Sequence, residues 1–404
     1  MNEFDDLESA LAAELRRRSG DVLATPGLAG RARRRARVVR RRRVAAAGAV
    51  AAAVLAVAVP TALSLRSVPQ TAPPADSPTT PSEVHETETP ERGGTTALAL
   101  DGLPGGPEPS IGWFEGPDYH GADGRSAQFP SMWMDTLELG DRFMASTGDE
   151  VSRLAADGEV LATFTGAGPV LSADGRLVAY FNRDEDVVRA EPADGGEAEP
   201  GRDVPEDRWL EPVGFLGDHR LVSNLRDATG APAGFRIDDF GAPDGGAATA
   251  PWDLVSVSAV SEAAGLVTGP TTELTEDGGC WAVYETDAST PLWTTCAYSF
   301  LRFSPDGRHL VGTAGHPHAE AFTTTVLVDA LTGAVVHQYT GRHIYEAMFE
   351  DEGHLILSVA LEDGDSREAA LLRCDFTGSC ERTTPIVHVS LQGGYTYGLA
   401  LPRW

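Results

Sequence analysis

Residues 171–180 read LSADGRLVAY and residues 303–312 read FSPDGRHLVG. The shared Ser-x-Asp-Gly-Arg is either a chemical signature or the mark of a repeated unit, and the spacing of its neighbours decides. Segments beginning at Arg176, Arg220, Gly265, His309 and His354 read RLVAYF, RLVSNL, GLVTG, HLVGTA and HLILSVA, at intervals of 44, 45, 44 and 45 residues. Each follows an apolar run and a turn: PVLSADG from Pro169, PVGFLGD from Pro212, VSVSAVSEAA from Val255, FLRFSPD from Phe300 and EAMFEDEG from Glu346. A catalytic pair need not recur at this rhythm, and the Asp is lost in the copy at 255. The motif therefore reads as a hairpin turn. Asp174 and Asp306 accept hydrogen bonds from the local backbone, Gly175 and Gly307 supply a positive φ, and Pro305 presets its neighbour.

A period near 45 residues with about four short strands per unit is the size of one β-propeller blade. Residues 132–166 give four further strand-like runs, another unit of the same kind. Ile111–Phe129 and the C-terminal Tyr395–Pro402 remain, and together they make one composite unit that closes the ring and leaves no free sheet edge. The expected fold is all-β, a seven-bladed propeller over residues 110–404, with six blades the alternative if 111–129 merely cap it.

Charge is unevenly placed. All 32 basic residues are Arg, and the net charge is −28. Residues 1–43 hold 12 Arg against 6 acidic residues, while residues 66–404 carry a net −34. The acidic body repels phosphate backbones, which excludes nucleic acid as its partner. Nine of the thirteen residues from Arg31 to Arg43 are Arg, and the 22 residues Val44–Leu65 carry no charge. At 1.5 Å per residue that stretch crosses a bilayer core of about 30 Å. The Arg cluster orients the span with its N-terminus in the cytoplasm and the bulk outside. Cleavage as a signal peptide, near Ala56-Val57-Ala58, is the rival reading. Within 1–43, Leu7, Leu11 and Leu15 predict a short cytoplasmic amphipathic helix. Residues 66–109 begin rich in Pro, Thr, Ser and Glu and read as a disordered stalk.

The four cysteines all fall in the part placed outside the cell, where disulfides persist. Cys280 and Cys296 are equidistant from residue 288 in a turn, and Cys374 and Cys380 are equidistant from Thr377. Opposed positions on a hairpin meet the short Cβ separation a disulfide needs, so the pairs are 280 with 296 and 374 with 380. A zinc site built from the four lacks any C-x-x-C. Nucleophile-elbow, phosphate-loop and zinc-protease motifs are absent, so no catalytic residue and no cofactor is assigned. His316, His318 and Glu320 are the best metal candidates, since alternate residues share one side of a strand or loop. Arg183–Asp186 and the Asp238-Asp239 pair with Asp244 lack a regular calcium spacing and read as charged loops. The tryptophans, Trp113, Trp133, Trp209, Trp252, Trp281 and Trp293 among them, are spread over the repeats as packing residues.

The units FSPDGRHLV and LSADGRLV resemble the repeats of bacterial WD-repeat-like propellers, related to the periplasmic translocation-protein propeller and the non-catalytic propeller of prolyl oligopeptidases. The Arg-rich N-terminus, Ala/Val span, stalk, GLPGGPEP lead-in at 102–109 and CDFTGSC loop resemble membrane-anchored propeller proteins common in actinobacteria. The resemblance implies a fold and a setting, not an activity. The copies at 255 and 346 depart from the Asp-Gly turn, the Trp-Asp signature is missing, and no hydrolase domain follows the repeats within these 404 residues. The expected function is a single-pass, membrane-anchored extracytoplasmic module that binds a protein or ligand of the envelope. A transmembrane regulator of the anti-sigma type and an envelope enzyme acting at the propeller channel are the alternatives. Ligand identity and oligomeric state leave no trace in the residues.

Overall fold

The computed structural model describes residues 93–130, 135–196, 201–205, 207–242, 247–248, 250–274, 279–315, 321–363, 366–390 and 397–401. Segments 1–43 and 44–65 and residues 66–92 lie outside them. Among the described residues every regular element is a strand, and no helix is long and apolar enough to cross a membrane.

The strands form antiparallel meanders in chain order. Arg208–Leu216, Arg220–Asp227, Pro232–Asp239 and Ala247–Ala248 make one, and Ala259–Ser261, Leu266–Pro270, Trp281–Glu285 and Trp293–Thr295 make the next. Elsewhere one long strand serves two meanders. Val160–Leu171 pairs through Glu150↔Thr165 with the strand before it and through Leu171↔Val178 with the strand after it. Val335–Phe349 does the same, joining Phe322–Asp329 to His354–Asp363. Successive meanders joined this way and stacked face to face are the architecture of a β-propeller.

The second strand of each unit explains why the Leu-Val pairs recur. Its neighbours cover both faces, so it reads as a continuous apolar run and not an alternating one. Val178, Leu221, Val222, Val267, Leu310, Val311, Leu355 and Ile356 are all wholly buried. The ring closes where Tyr397–Leu399 pairs antiparallel with Trp113–Glu115, in register Trp113↔Leu399 and Glu115↔Tyr397. Asp118–His120 and Ser126–Gln128 complete that sheet.

The two copies of the opening motif have the same bonds. Ser172 Oγ donates to Asp174 Oδ1 at 2.7 Å, Arg176 N–H donates to the same oxygen at 3.0 Å, and Leu177 N–H donates to Ser172 Oγ at 2.9 Å. In the second copy Ser304 donates to Asp306 at 2.6 Å, Arg308 N–H at 3.1 Å, and His309 N–H donates to Ser304 Oγ at 2.9 Å. Gly175 and Gly307 both have φ of 70°.

Residues 93–109, assigned above to the stalk, belong instead to the folded unit. Gly94–Ala97 is a strand pairing parallel with His337–Thr340, at the outer edge of Val335–Phe349. The Thr-Thr-Ala-Leu-Ala-Leu sequence alternates, and Leu98 and Leu100 enter the core. Beyond it Gly106 N–H donates to the Arg382 carbonyl and Arg382 N–H to that of Pro104. Arg373 anchors the end of this strap. Its guanidinium binds the buried Glu350 carboxylate through Nε and Nη2 and Glu381 through Nη1 at 2.7 Å. It also donates to the carbonyls of Pro107 and Glu108, while Ser110 N–H donates to Glu350 Oε1. The domain boundary therefore moves from residue 110 to residue 93 or earlier.

Two expected outcomes follow from these contacts. A Cβ on Gly175 meets open space, whereas on Gly307 it would stand 2.4 Å from both Ala264 Cβ and Ser261 Oγ. Gly175→Ala should therefore cost about 1 kcal/mol of left-handed backbone strain, and Gly307→Ala about 2–4 kcal/mol, in urea unfolding. Equal losses would contradict the packing of that turn. Arg373→Ala strands a buried carboxylate and should cost about 3–5 kcal/mol, with faster amide exchange over residues 94–100. A loss under about 1 kcal/mol would remove Arg373 as the anchor.

Candidate functional site

The first strand of each meander faces the centre of the ring. Leu137, Val170, Val213, Val260, Leu301, Phe349 and Leu401 line one cavity that opens toward the Ser-x-Asp-Gly turns. A second cavity, of about 340 Å³, opens the other way and is lined by Asp135, Glu211, Arg226 and Ser256. Both share Val170, Val213, Leu301 and Leu401 together with Ser258 and Arg302, so the two cavities meet at a mainly apolar ring, and the second forms a polar mouth. Volumes of a few hundred Å³ suit a small ligand.

Charged groups reach this region from several strands. Asp135 starts Asp135–Leu139 and accepts a hydrogen bond from Ser146 Oγ at Oδ2, 3.1 Å. Arg302 lies on Ser299–Phe303, borders both cavities, and makes no hydrogen bond or ion pair to any described residue. Glu346, on Val335–Phe349, accepts the Leu399 N–H at Oε2, 2.6 Å. Burial is the main reason its carboxyl is pushed up to about 7; Asp135 adds to the rise, and the Leu399 N–H and Arg302 oppose it. Glu211 and Arg226 pair at 2.6 Å and satisfy each other. Asn224 holds the wall rigid by bonding both the N–H and the carbonyl of Val257 in the next meander.

The residues singled out in the sequence lie elsewhere. Cys280 with Cys296 and Cys374 with Cys380 are disulfides, each staple crossing a hairpin, and Cys374↔Cys380 are register partners. Asp174, Gly175, Asp306 and Gly307 form the turns described above. His316, His318 and Glu320 lie outside the described residues, as do Asp244, Trp133 and Trp404. Asp184 accepts from Thr165 N–H and Glu185 pairs with Arg189, which ties the 183–186 turn to its own sheet. Asp238 is buried beside Arg236 at 2.7 Å, and burial outweighs that pairing to raise its pKa. Among the described residues neither acidic stretch converges with a third ligand, and no cluster of three metal-ligating side chains occurs. Trp293 packs on Phe300 and donates to the Ala330 carbonyl, and Trp252 stacks on Phe235 and donates to that of Thr286. The sequence reading did not select Asp135, Arg302 or Glu346. The available signal was a charge inside an apolar leading strand, as in FLRF and EAMF.

Glu346 makes stability depend on pH. A carboxyl whose folded pKa lies above its unfolded value keeps its proton in the folded state while the unfolded chain has lost it. Stability should fall as pH rises from about 4.5 to about 7, and level off above that, by on the order of 3 kcal/mol from this group. In Glu346→Gln, which retains an acceptor for Leu399 N–H, this loss should vanish, so the variant gains on the parent between pH 5 and pH 8 in thermal melts. A constant difference across that range would contradict the burial of the carboxyl.

No protein-family model matches the chain, and no curated protein matches it in sequence. Among solved structures, the β-propeller domain of Cps50 (Swd1) from Myceliophteria thermophila is similar over 66% of this chain and 94% of that one, at 11% identity and a TM-score of 0.43. BamB from Moraxella catarrhalis is similar over 69% and 84%, at 12% identity and a TM-score of 0.40. Apo AztD from Citrobacter koseri is similar over 72% and 96%, at 13% identity and a TM-score of 0.40. At these values the likenesses assign no activity to this chain.

Proposed function

We propose that the chain is a membrane-anchored extracytoplasmic binding module, a seven-bladed propeller presented on a tether. The observation that carries this reading is the axial cavity. Rigid strands from different meanders hold Asp135 and Arg302 at its polar mouth, with Glu346 beside them, and charged groups of this kind orient and select a ligand. The blade number rests on counting Val160–Leu171 and Val335–Phe349 once in each meander they join, which divides the strands into seven units. The setting rests on the Arg cluster ahead of Val44–Leu65, on the two disulfides and on the acidic body.

In cells carrying the protein with a tag at each end, it should sediment with membranes. Protease added outside should remove the C-terminal tag and spare the N-terminal one. Crosslinking in intact cells should give a discrete adduct on the propeller. Recovery in the soluble fraction, or a protected C-terminal tag, would overturn the topology; absence of any adduct or bound ligand would overturn the binding role.

A further inference from the structure

The polar mouth leaves hydrogen-bonding capacity unused on both signs of charge. Arg302 has five N–H donors and no partner among the described residues. Asp135 accepts its one side-chain bond at Oδ2, so it keeps an oxygen in hand. Gly168 keeps Asp135 open to the cavity: a Cβ there would stand 3.1 Å from Asp135 Oδ2 and 3.2 Å from Ser146 Oγ. Ser256 and Ser258 line the same cavity and add two hydroxyls.

Each charge type limits the ligand. A guanidinium in a half-enclosed space is best satisfied by a planar oxyanion bound through two N–H groups. An ionised carboxylate at the same mouth is best satisfied by a donor that carries positive charge. A bare cation would place its charge beside Arg302, and a bare anion would leave Asp135 facing its own sign. A molecule with both charges meets every group at once. We infer that the channel mouth binds a small zwitterion, an amino-carboxylate whose carboxylate lies on Arg302 and whose ammonium lies on Asp135. The inference rests on the binding-module reading and names the ligand class of the same cavity. Its size admits either a free amino acid or a short peptide.

Calorimetric titration of the full chain in detergent at pH 7 tests this with four probes: L-alanine, L-alanyl-L-alanine, N-acetyl-L-alanine and L-alaninamide. At least one of the first two should bind about tenfold or more tighter than both blocked analogues, and the tighter of the two identifies the source as amino acid or peptide. Arg302→Gln should erase the preference over L-alaninamide, and Asp135→Asn the preference over N-acetyl-L-alanine. Because the unmodified protein already discriminates among the probes, the test holds even if a variant fails to fold. Equal affinity for zwitterions and blocked analogues, or no binding by any probe, would overturn the inference. If no probe binds while the crosslinked adduct persists, the ligand class falls and the module reading stands; loss of both removes both.

Discussion

The ring depends on three residue pairs. Tyr397–Leu399 reaches back to Trp113–Glu115 and supplies the strand without which that sheet has no inner edge. The closing segment also bonds two other sheets: Ser358 Oγ donates to the Tyr397 carbonyl, and Leu401 N–H donates to that of Thr136. Nearly every other pairing joins strands close in sequence, so the chain can form its meanders locally. Closure instead spans almost the whole folded unit, and its entropic cost grows only slowly with that length. Both chambers of the channel include Leu401, and Glu346 takes its hydrogen bond from Leu399, so the cavity exists only in the closed ring.

Adjacent meanders meet mainly through apolar faces, yet polar clusters fix how they face one another. Arg153 donates to both Tyr180 OH and Glu191 in the next meander, and Tyr180 OH donates to the same carboxylate. Burial first, and Glu191 second, push the Tyr180 hydroxyl up to about 12, so it remains a donor. Arg202 reaches across to the carbonyls of Asp239 and Ala242. Hydrogen bonds of fixed geometry resist the sliding that an apolar face alone would permit.

How far the sequence could be read depended on how local each feature is. The Leu-Val rhythm and the turns were legible because each lies within one hairpin. The disulfides were legible because Cys280 and Cys296, and Cys374 and Cys380, sit symmetrically about a turn. The closing strand was legible because YTYGLALP was left over after the repeats were counted. The strand Gly94–Ala97 was not: it pairs parallel with residues some 240 positions away, and four residues give no periodicity. Nor were Asp135, Arg302 and Glu346, because single charges on separate strands become one group only when the ring brings those strands together.

The strap also sets the path of any pull on the chain ahead of Gly93. Its ladder with His337–Thr340 runs along the strand, so tension loads those bonds together in shear instead of peeling them one at a time. The Arg373 cluster behind it takes what remains. Both come before the pairing of Tyr397–Leu399 with Trp113–Glu115 along the chain, so a pull from the leading end meets them before it meets the seam that holds the ring shut.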